Sequence, residues 1–172
     1  MKANPHIYSR KLIQKSELKT FETIDSYEIM KKAAKNSFDY IFKNFQFQKI
    51  LIICGPGNNG GDGILIAKHF SDKKKTVTIF APLGIAKTPD SKKALNELKD
   101  NNLTKEKINF DEYDLIIDSL FGVGFNRTLS KELYNLFYII NNLKTYIISI
   151  DMPSGVYTDS GQISSIAIIL SS

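Results

Sequence analysis

The chain carries a single cysteine, Cys54, among 172 residues, so an internal disulfide and a cysteine-built metal cluster are both excluded. Histidine is scarce as well, with only His6 and His69. Cys54 therefore has no obvious base in the sequence, and its place at the end of an apolar run fits a small buried hydrophobe better than a nucleophile. No apolar run approaches the roughly 20 residues needed to span a bilayer, and Met1 to His6 contain no apolar signal segment. A cytoplasmic protein with no membrane contact is expected. Internal repeats and low-complexity linkers are also lacking, which leaves one domain over residues 1–172 as the expected organisation.

What is present has the balance of a globular protein, with 42% hydrophobic and 24% charged residues. Lysine and arginine exceed aspartate and glutamate by 23 to 18, a net charge of +5. The one dense basic run, Lys73-Lys74-Lys75, has no interleaved aromatics, so it reads as a solvated turn and no nucleic-acid partner is expected.

Residues 26–45 place Ile29, Met30, Ala33, Ala34, Phe38, Ile41, Phe42 and Phe45 at helical spacing, with Asp25 or Ser26 as cap. The aromatic stripe of this long helix is where a homodimer contact would lie. Lys49-Ile50-Leu51-Ile52-Ile53-Cys54 is a continuous apolar run stopped by Gly-Pro-Gly, as suits a strand covered on both faces. Further strands are expected at 76–81, 113–118, 146–151 and 164–170, with helices at 62–71, 89–101 and 130–141 between the first four. Alternation of strand and helix predicts an α/β fold: a three-layer α/β/α Rossmann-like sandwich around a mainly parallel sheet.

Ligands in such sheets bind beyond the carboxyl ends of the strands, which directs attention to three loops. The first is Gly55-Pro56-Gly57-Asn58-Asn59-Gly60-Gly61-Asp62-Gly63. Its glycines permit close backbone approach to a nucleotide, the following helix offers free N–H groups, and Asn58, Asn59 and Asp62 add two amides and a carboxylate. A tight turn with Asp62 as a helix cap is the plainer alternative. The lysine and hydroxyl of a P-loop are missing, which disfavours an ATPase. So is the ribose-binding acid at the end of the second strand, where the chain runs Ile79-Phe80-Ala81-Pro82, and this disfavours an ordinary NAD dehydrogenase. The second loop runs Asp118-Ser119-Leu120-Phe121-Gly122-Val123-Gly124-Phe125-Asn126-Arg127-Thr128, and Arg127 suits a phosphate. The third, Ser149-Ile150-Asp151-Met152-Pro153-Ser154-Gly155, brings another carboxylate and a hydroxyl. Asp118 and Asp151 together supply acid–base capacity and oxygen ligands for a hard cation.

In order and spacing, GPGNNGGDG, DSLFGVGFNR and SIDMPSGV followed by Asp159 and Gly161 resemble the N-terminal (YjeF-type) domain family of NAD(P)H-hydrate epimerases. The resemblance covers residues 12–161. It implies interconversion of the R and S forms of hydrated NADH or NADPH, a damaged cofactor that a separate dehydratase then restores. By position it implies that Asn58, Asn59, Gly60, Gly61, Asp62, Gly122, Val123, Gly124, Phe125, Asn126, Arg127 and Thr128 line the substrate site and that Asp151 touches the substrate. It also implies a potassium ion at Asn59, Asp118 and Ser154. Asp151 is the expected acid–base residue. The family pattern Met-Glu-x-Ala-Gly in the long helix reads Met30-Lys31-Lys32-Ala33-Ala34 here. Past Gly161 the chain matches family sequences poorly, so a sheet short of strands is expected. A nucleotide-binding relative without turnover is the alternative reading.

Overall fold

Strand β1 (Lys49–Cys54) occupies the middle of the molecule because five successive apolar side chains, Ile50 to Cys54, all find cover on one sheet face or the other. The computed structural model describes residues 9–98, 103–104 and 108–170. Their elements follow the order α1 (Arg10–Phe21), α2 (Ser26–Asn44), β1, α3 (Asn58–Asp72), β2 (Thr76–Phe80), α4 (Pro89–Glu97), β3 (Leu103–Thr104), β4 (Leu115–Ser119), α5 (Lys131–Asn141) and β5 (Tyr146–Ser149). The sheet has five strands in the order β3-β2-β1-β4-β5, and every pairing is parallel. The strand order switches sides between β1 and β4, the point at whose carboxyl ends sheets of this kind bind ligands.

The two faces bury separate cores. On one, Ile50 and Ile52 of β1 pack with Met30, Ala34 and Phe38 of α2 and Ile64 and Ala67 of α3. On the other, Leu51 and Ile53 pack with Leu133, Phe137 and Ile140 of α5. This is the expected three-layer arrangement. Ala34 is fully buried, so a methyl group fits where the family pattern has glycine. Asp25 caps α2 by accepting the N–H of Tyr27 at 2.9 Å. Phe42 of its aromatic stripe and the nearby Tyr40 remain exposed. Cys54 is fully buried, and burial pushes its thiol well above the ordinary range.

Several expectations need correction. Helix α3 begins at Asn58 rather than residue 62, so six of the nine residues of the glycine-rich segment already belong to the helix. Glycine's poor helix propensity is overridden there by close packing. A Cβ on Gly63 would sit 2.7 Å from Oγ of Ser119 and 2.9 Å from Sγ of Cys54. Helix α4 stops at Glu97, Leu98 is already non-helical, and residues 99–101 lie outside those described. Residues 164–170 form no strand. Their backbone groups are used otherwise: the Ser164 N–H donates to Gly155 O (2.9 Å), the Ile168 N–H to Ser154 O (2.9 Å) and the Ile169 N–H to Oδ1 of Asn141 (2.9 Å). The segment straps the Ser154–Gly155 turn to α5 instead of extending the sheet. Helix α1 and strand β3 were not legible in the apolar pattern; Leu12 and Leu18 of α1 are exposed.

Candidate active site

The parallel register sets Asp118 beside Ile53 of β1 and Ser149 of β5, in the middle of the sheet's carboxyl edge. Asp118 is fully buried, and four donors meet its carboxylate. Oδ1 accepts from the Ser154 hydroxyl (2.6 Å) and the Leu120 N–H (3.2 Å), while Oδ2 accepts from the Ser149 hydroxyl (2.8 Å) and the Ser154 N–H (2.8 Å). Burial raises its pKa, and these hydrogen bonds pull it back. Ser154, also fully buried, accepts the Phe121 N–H at 3.0 Å. The loops leaving β4 and β5 are thus tied together through one carboxylate.

Asp151 follows two residues after β5. Its φ is 69°, and the Met152 N–H donates to Ile150 O at 2.8 Å, which closes a tight three-residue turn around it. A side chain bears this left-handed conformation only when its surroundings impose it, and such strain gathers at functional sites. Oδ2 of Asp151 accepts the Val123 N–H at 2.8 Å. Gly122 lets the two loops close: a Cβ there would run into Oδ2 of Asp151 and come within 3.3 Å of the Asn59 side chain.

Asp62 lies in the first turns of α3. Part of the residue meets solvent, but Oδ1 is enclosed without a hydrogen-bond partner. Burial pushes its carboxyl up to about 7, and the charge of Asp151 adds to the rise. Asp62 and Asp151 therefore form a pair in which one carboxyl holds its proton near neutrality. The sequence pointed to Asp62 as a binding residue; its acid–base quality comes from enclosure by chain distant in sequence.

Asn59 sits between these groups. Its backbone carbonyl accepts the Ser119 hydroxyl at 2.5 Å, while its side-chain amide is buried with neither Nδ2 nor Oδ1 hydrogen-bonded. A buried amide without partners costs about 1–3 kcal/mol, so one is retained where something else satisfies it. Asn59, Asp118 and Ser154 offer one carboxylate and two neutral oxygens. That set fits a hard monovalent cation. Among the described residues no cluster of three His, Cys, Asp or Glu side chains exists that would suit a transition metal.

The remaining expected site residues divide. Gly60 and Gly61 are buried and packed on protein: a Cβ on Gly61 would stand 2.9 Å from Sδ of Met30. They serve the close seating of α3. Gly124, and Gly57 in the first loop, face open space, with nothing within 4 Å of a Cβ placed there. Phe125 is buried in an aromatic row with Phe121 (5.0 Å) and Tyr157 (5.2 Å). Arg127 is exposed with its guanidinium 5.6 Å from the Phe121 ring, and Asn126 and Thr128 are exposed beside it. These three form an outer rim and the Asp62–Asn59–Asp151 group the inner site. A concavity of about 950 Å³ at the opposite, amino end of the strands, lined by Phe47, Lys75, Asp114 and Tyr146, contains none of these groups.

Residues 26–171 match the family described as "YjeF-related protein N-terminus". Over 171 residues the chain is 37% identical to the "Bifunctional NAD(P)H-hydrate repair enzyme Nnr" of Dictyoglomus turgidum, covering 89% of this chain and 33% of that protein. It is 32% identical over 129 residues to the "NAD(P)H-hydrate epimerase" of Oenococcus oeni, covering 73% of this chain and 61% of that one. The chain thus spans from a third to about three fifths of the length of these relatives. The crystal structure of yeast ynu0 superposes with a TM-score of 0.80 at 24% identity, covering 95% of this chain and 77% of that one, and shares the fold.

Proposed function

We propose a function from one premise: this chain belongs to the family of the YjeF-related protein N-terminus. It epimerises hydrated NADH or NADPH, interconverting the S and R forms. The observation that carries this reading is the pairing of Asp62, whose carboxyl is pushed up to about 7, with Asp151 on its strained turn at the mouth of the β4 and β5 loops.

Inverting a ring carbon that bears a hydroxyl and adjoins a nitrogen needs no oxidant. Asp151 takes the hydroxyl proton as the carbon–nitrogen bond breaks and a carbonyl forms, while Asp62 gives its proton to the departing nitrogen. Closure on the other face of the carbonyl returns both protons and yields the other epimer, so atoms and charge balance. The Val123 N–H holds Asp151 in place for both directions. Arg127 and the first N–H groups of α3 bind the substrate's phosphates.

Asn59, Asp118 and Ser154 would hold a potassium ion, whose positive charge would offset the buried carboxylate and engage Oδ1 of Asn59. No helix among the described residues is long and apolar enough to cross a membrane. Because one relative is named a bifunctional repair enzyme and this chain covers 33% of it, the dehydration that follows epimerisation falls to another domain or protein.

The test is the rate at which purified protein interconverts S and R hydrated NADH with potassium present, against a buffer blank and Asp151→Asn. Acceleration that disappears in the variant supports the reading. A rate equal to the blank from folded protein overturns it in favour of nucleotide binding without turnover.

A further inference from the structure

Between β2 and α4, residues 81–88 run Ala-Pro-Leu-Gly-Ile-Ala-Lys-Thr, and this loop is stitched to the start of α3. The Lys87 N–H donates to Pro56 O at 2.8 Å, and the Thr88 hydroxyl donates to Oδ1 of Asn58 at 2.5 Å. With Oδ1 so engaged, Nδ2 of Asn58 has no protein acceptor among the described residues, and Asn58 is exposed. Lys87 is exposed and takes part in no ion pair among the described residues; its stem folds back over Gly84, Cε standing 3.9 Å from where a Cβ on that glycine would be. Two left-handed residues precede it, Gly84 (φ 83°) and Ala86 (φ 52°), and Ala86 is buried, so the backbone leading into Lys87 is fixed by packing.

The loop follows the second strand, at whose end a dinucleotide fold recognises the adenosine ribose: an acid there binds the free 2′-hydroxyl, and a cation nearby accepts a 2′-phosphate. The first carboxylate after β2 is Asp90, which is buried and engaged by the Ser26 hydroxyl (2.6 Å) and Lys93 (3.4 Å). The loop therefore shows positive charge with no acid to oppose a phosphate.

The geometry points to Lys87, together with the free amide of Asn58, as the determinant of a subsite for the 2′-phosphate of a dinucleotide, which makes the phosphorylated, NADPH-derived hydrate the preferred substrate. The inference rests on the functional reading above, in which the dinucleotide crosses the first turn of α3 with its reacting ring at Asp151. The adenosine end then falls on the β2 side, over Lys87.

The experiment compares binding of adenosine 2′,5′-bisphosphate and 5′-AMP by calorimetry to the full chain, Lys87→Ala, Lys87→Glu, Lys87→Arg and the control Lys92→Ala, another exposed lysine of the same region. The expected result is about tenfold tighter binding of the bisphosphate by the parent, reduced to about twofold or less in Lys87→Ala, inverted in Lys87→Glu and kept in Lys87→Arg and Lys92→Ala, with AMP affinity unchanged. Equal affinities in the parent, binding of neither nucleotide, selectivity that survives Lys87→Ala, or the same loss in Lys92→Ala would each overturn it. Epimerisation is assayed on the same samples: selectivity without turnover removes the epimerase reading and leaves the subsite, whereas turnover without selectivity removes only the subsite.

Discussion

The backbone N–H of Val123 donates to Oδ2 of Asp151 across 2.8 Å, and so locks together the loops that leave β4 and β5 at a residue held at φ 69°. Asparagine tolerates that backbone and keeps an acceptor for Val123. Asp151→Asn should therefore melt within a few degrees of the parent yet lose about 100-fold or more in epimerisation rate. Alanine keeps neither property, and Asp151→Ala should also lose about 1–2 kcal/mol of stability. Urea titration of the two variants separates the structural part of the loss from the chemical part, and an active Asp151→Asn removes Asp151 as the base.

Gly122 and Gly124, two residues apart, should respond in opposite ways to a methyl group. At Gly122 the added carbon meets Oδ2 of Asp151 and the Asn59 side chain, whereas at Gly124 it meets nothing within 4 Å. Gly122→Ala should cut activity about tenfold or more by displacing Asp151, with the fold retained. Gly124→Ala should leave the melting temperature unchanged. Comparable activities for the two variants would show that the Gly122–Asp151 contact does not set the position of the carboxylate.

Asp62 gives a pH dependence whose sign follows from its environment. Its folded value, about 7, lies above the ordinary 3.8, so the native state binds the proton more tightly than the unfolded chain does. The stabilisation from protonation is complete below about pH 4, declines as pH rises toward 7 and is gone above it. Asp62→Asn should flatten that slope and be more stable than the parent at pH 8 by about 1–3 kcal/mol. If Asp62 is the acid, kcat should fall above pH 7 in the parent. Denaturant titrations at pH 5 and 8 check the first claim, and a rate profile checks the second.

The central architecture was legible because it rests on local patterns: Ile50 to Cys54 can only be a doubly covered strand, and Ser26 to Phe45 carries its helical stripe openly. Which residues gather at the carboxyl edge of the sheet was legible, and their chemistry less so. Asp118 and Asp151 stood out as carboxylates at strand ends, and Asn59 as an amide of the glycine-rich loop. The elevated pKa of Asp62 arises where burial and the Asp151 charge converge, and no local pattern encodes that. Residues 164–170 looked like a strand because Ile166, Ala167 and Ile168 are apolar, yet burial against α5 and the Ser154–Gly155 turn satisfies them without a ladder. Lys87 was invisible for a different reason: its exposure and freedom from ion pairs matter only once the Pro56 and Asn58 contacts place it beside α3.

The orphaned amide of Asn59 separates an ion-filled site from a merely strained one. Its side chain contributes two buried polar atoms without partners, while its backbone carbonyl already holds the Ser119 hydroxyl independently of the side chain. Without a cation, Asn59→Ala removes an unmet desolvation cost and should stabilise the fold by about 1–3 kcal/mol. With potassium bound, the same change removes a ligand. The parent should gain several degrees in melting temperature on replacing tetramethylammonium by potassium at equal ionic strength, and Asn59→Ala should gain none. Equal melting temperatures for the parent in both salts would remove potassium from the site and leave the Asn59 amide for the substrate to satisfy.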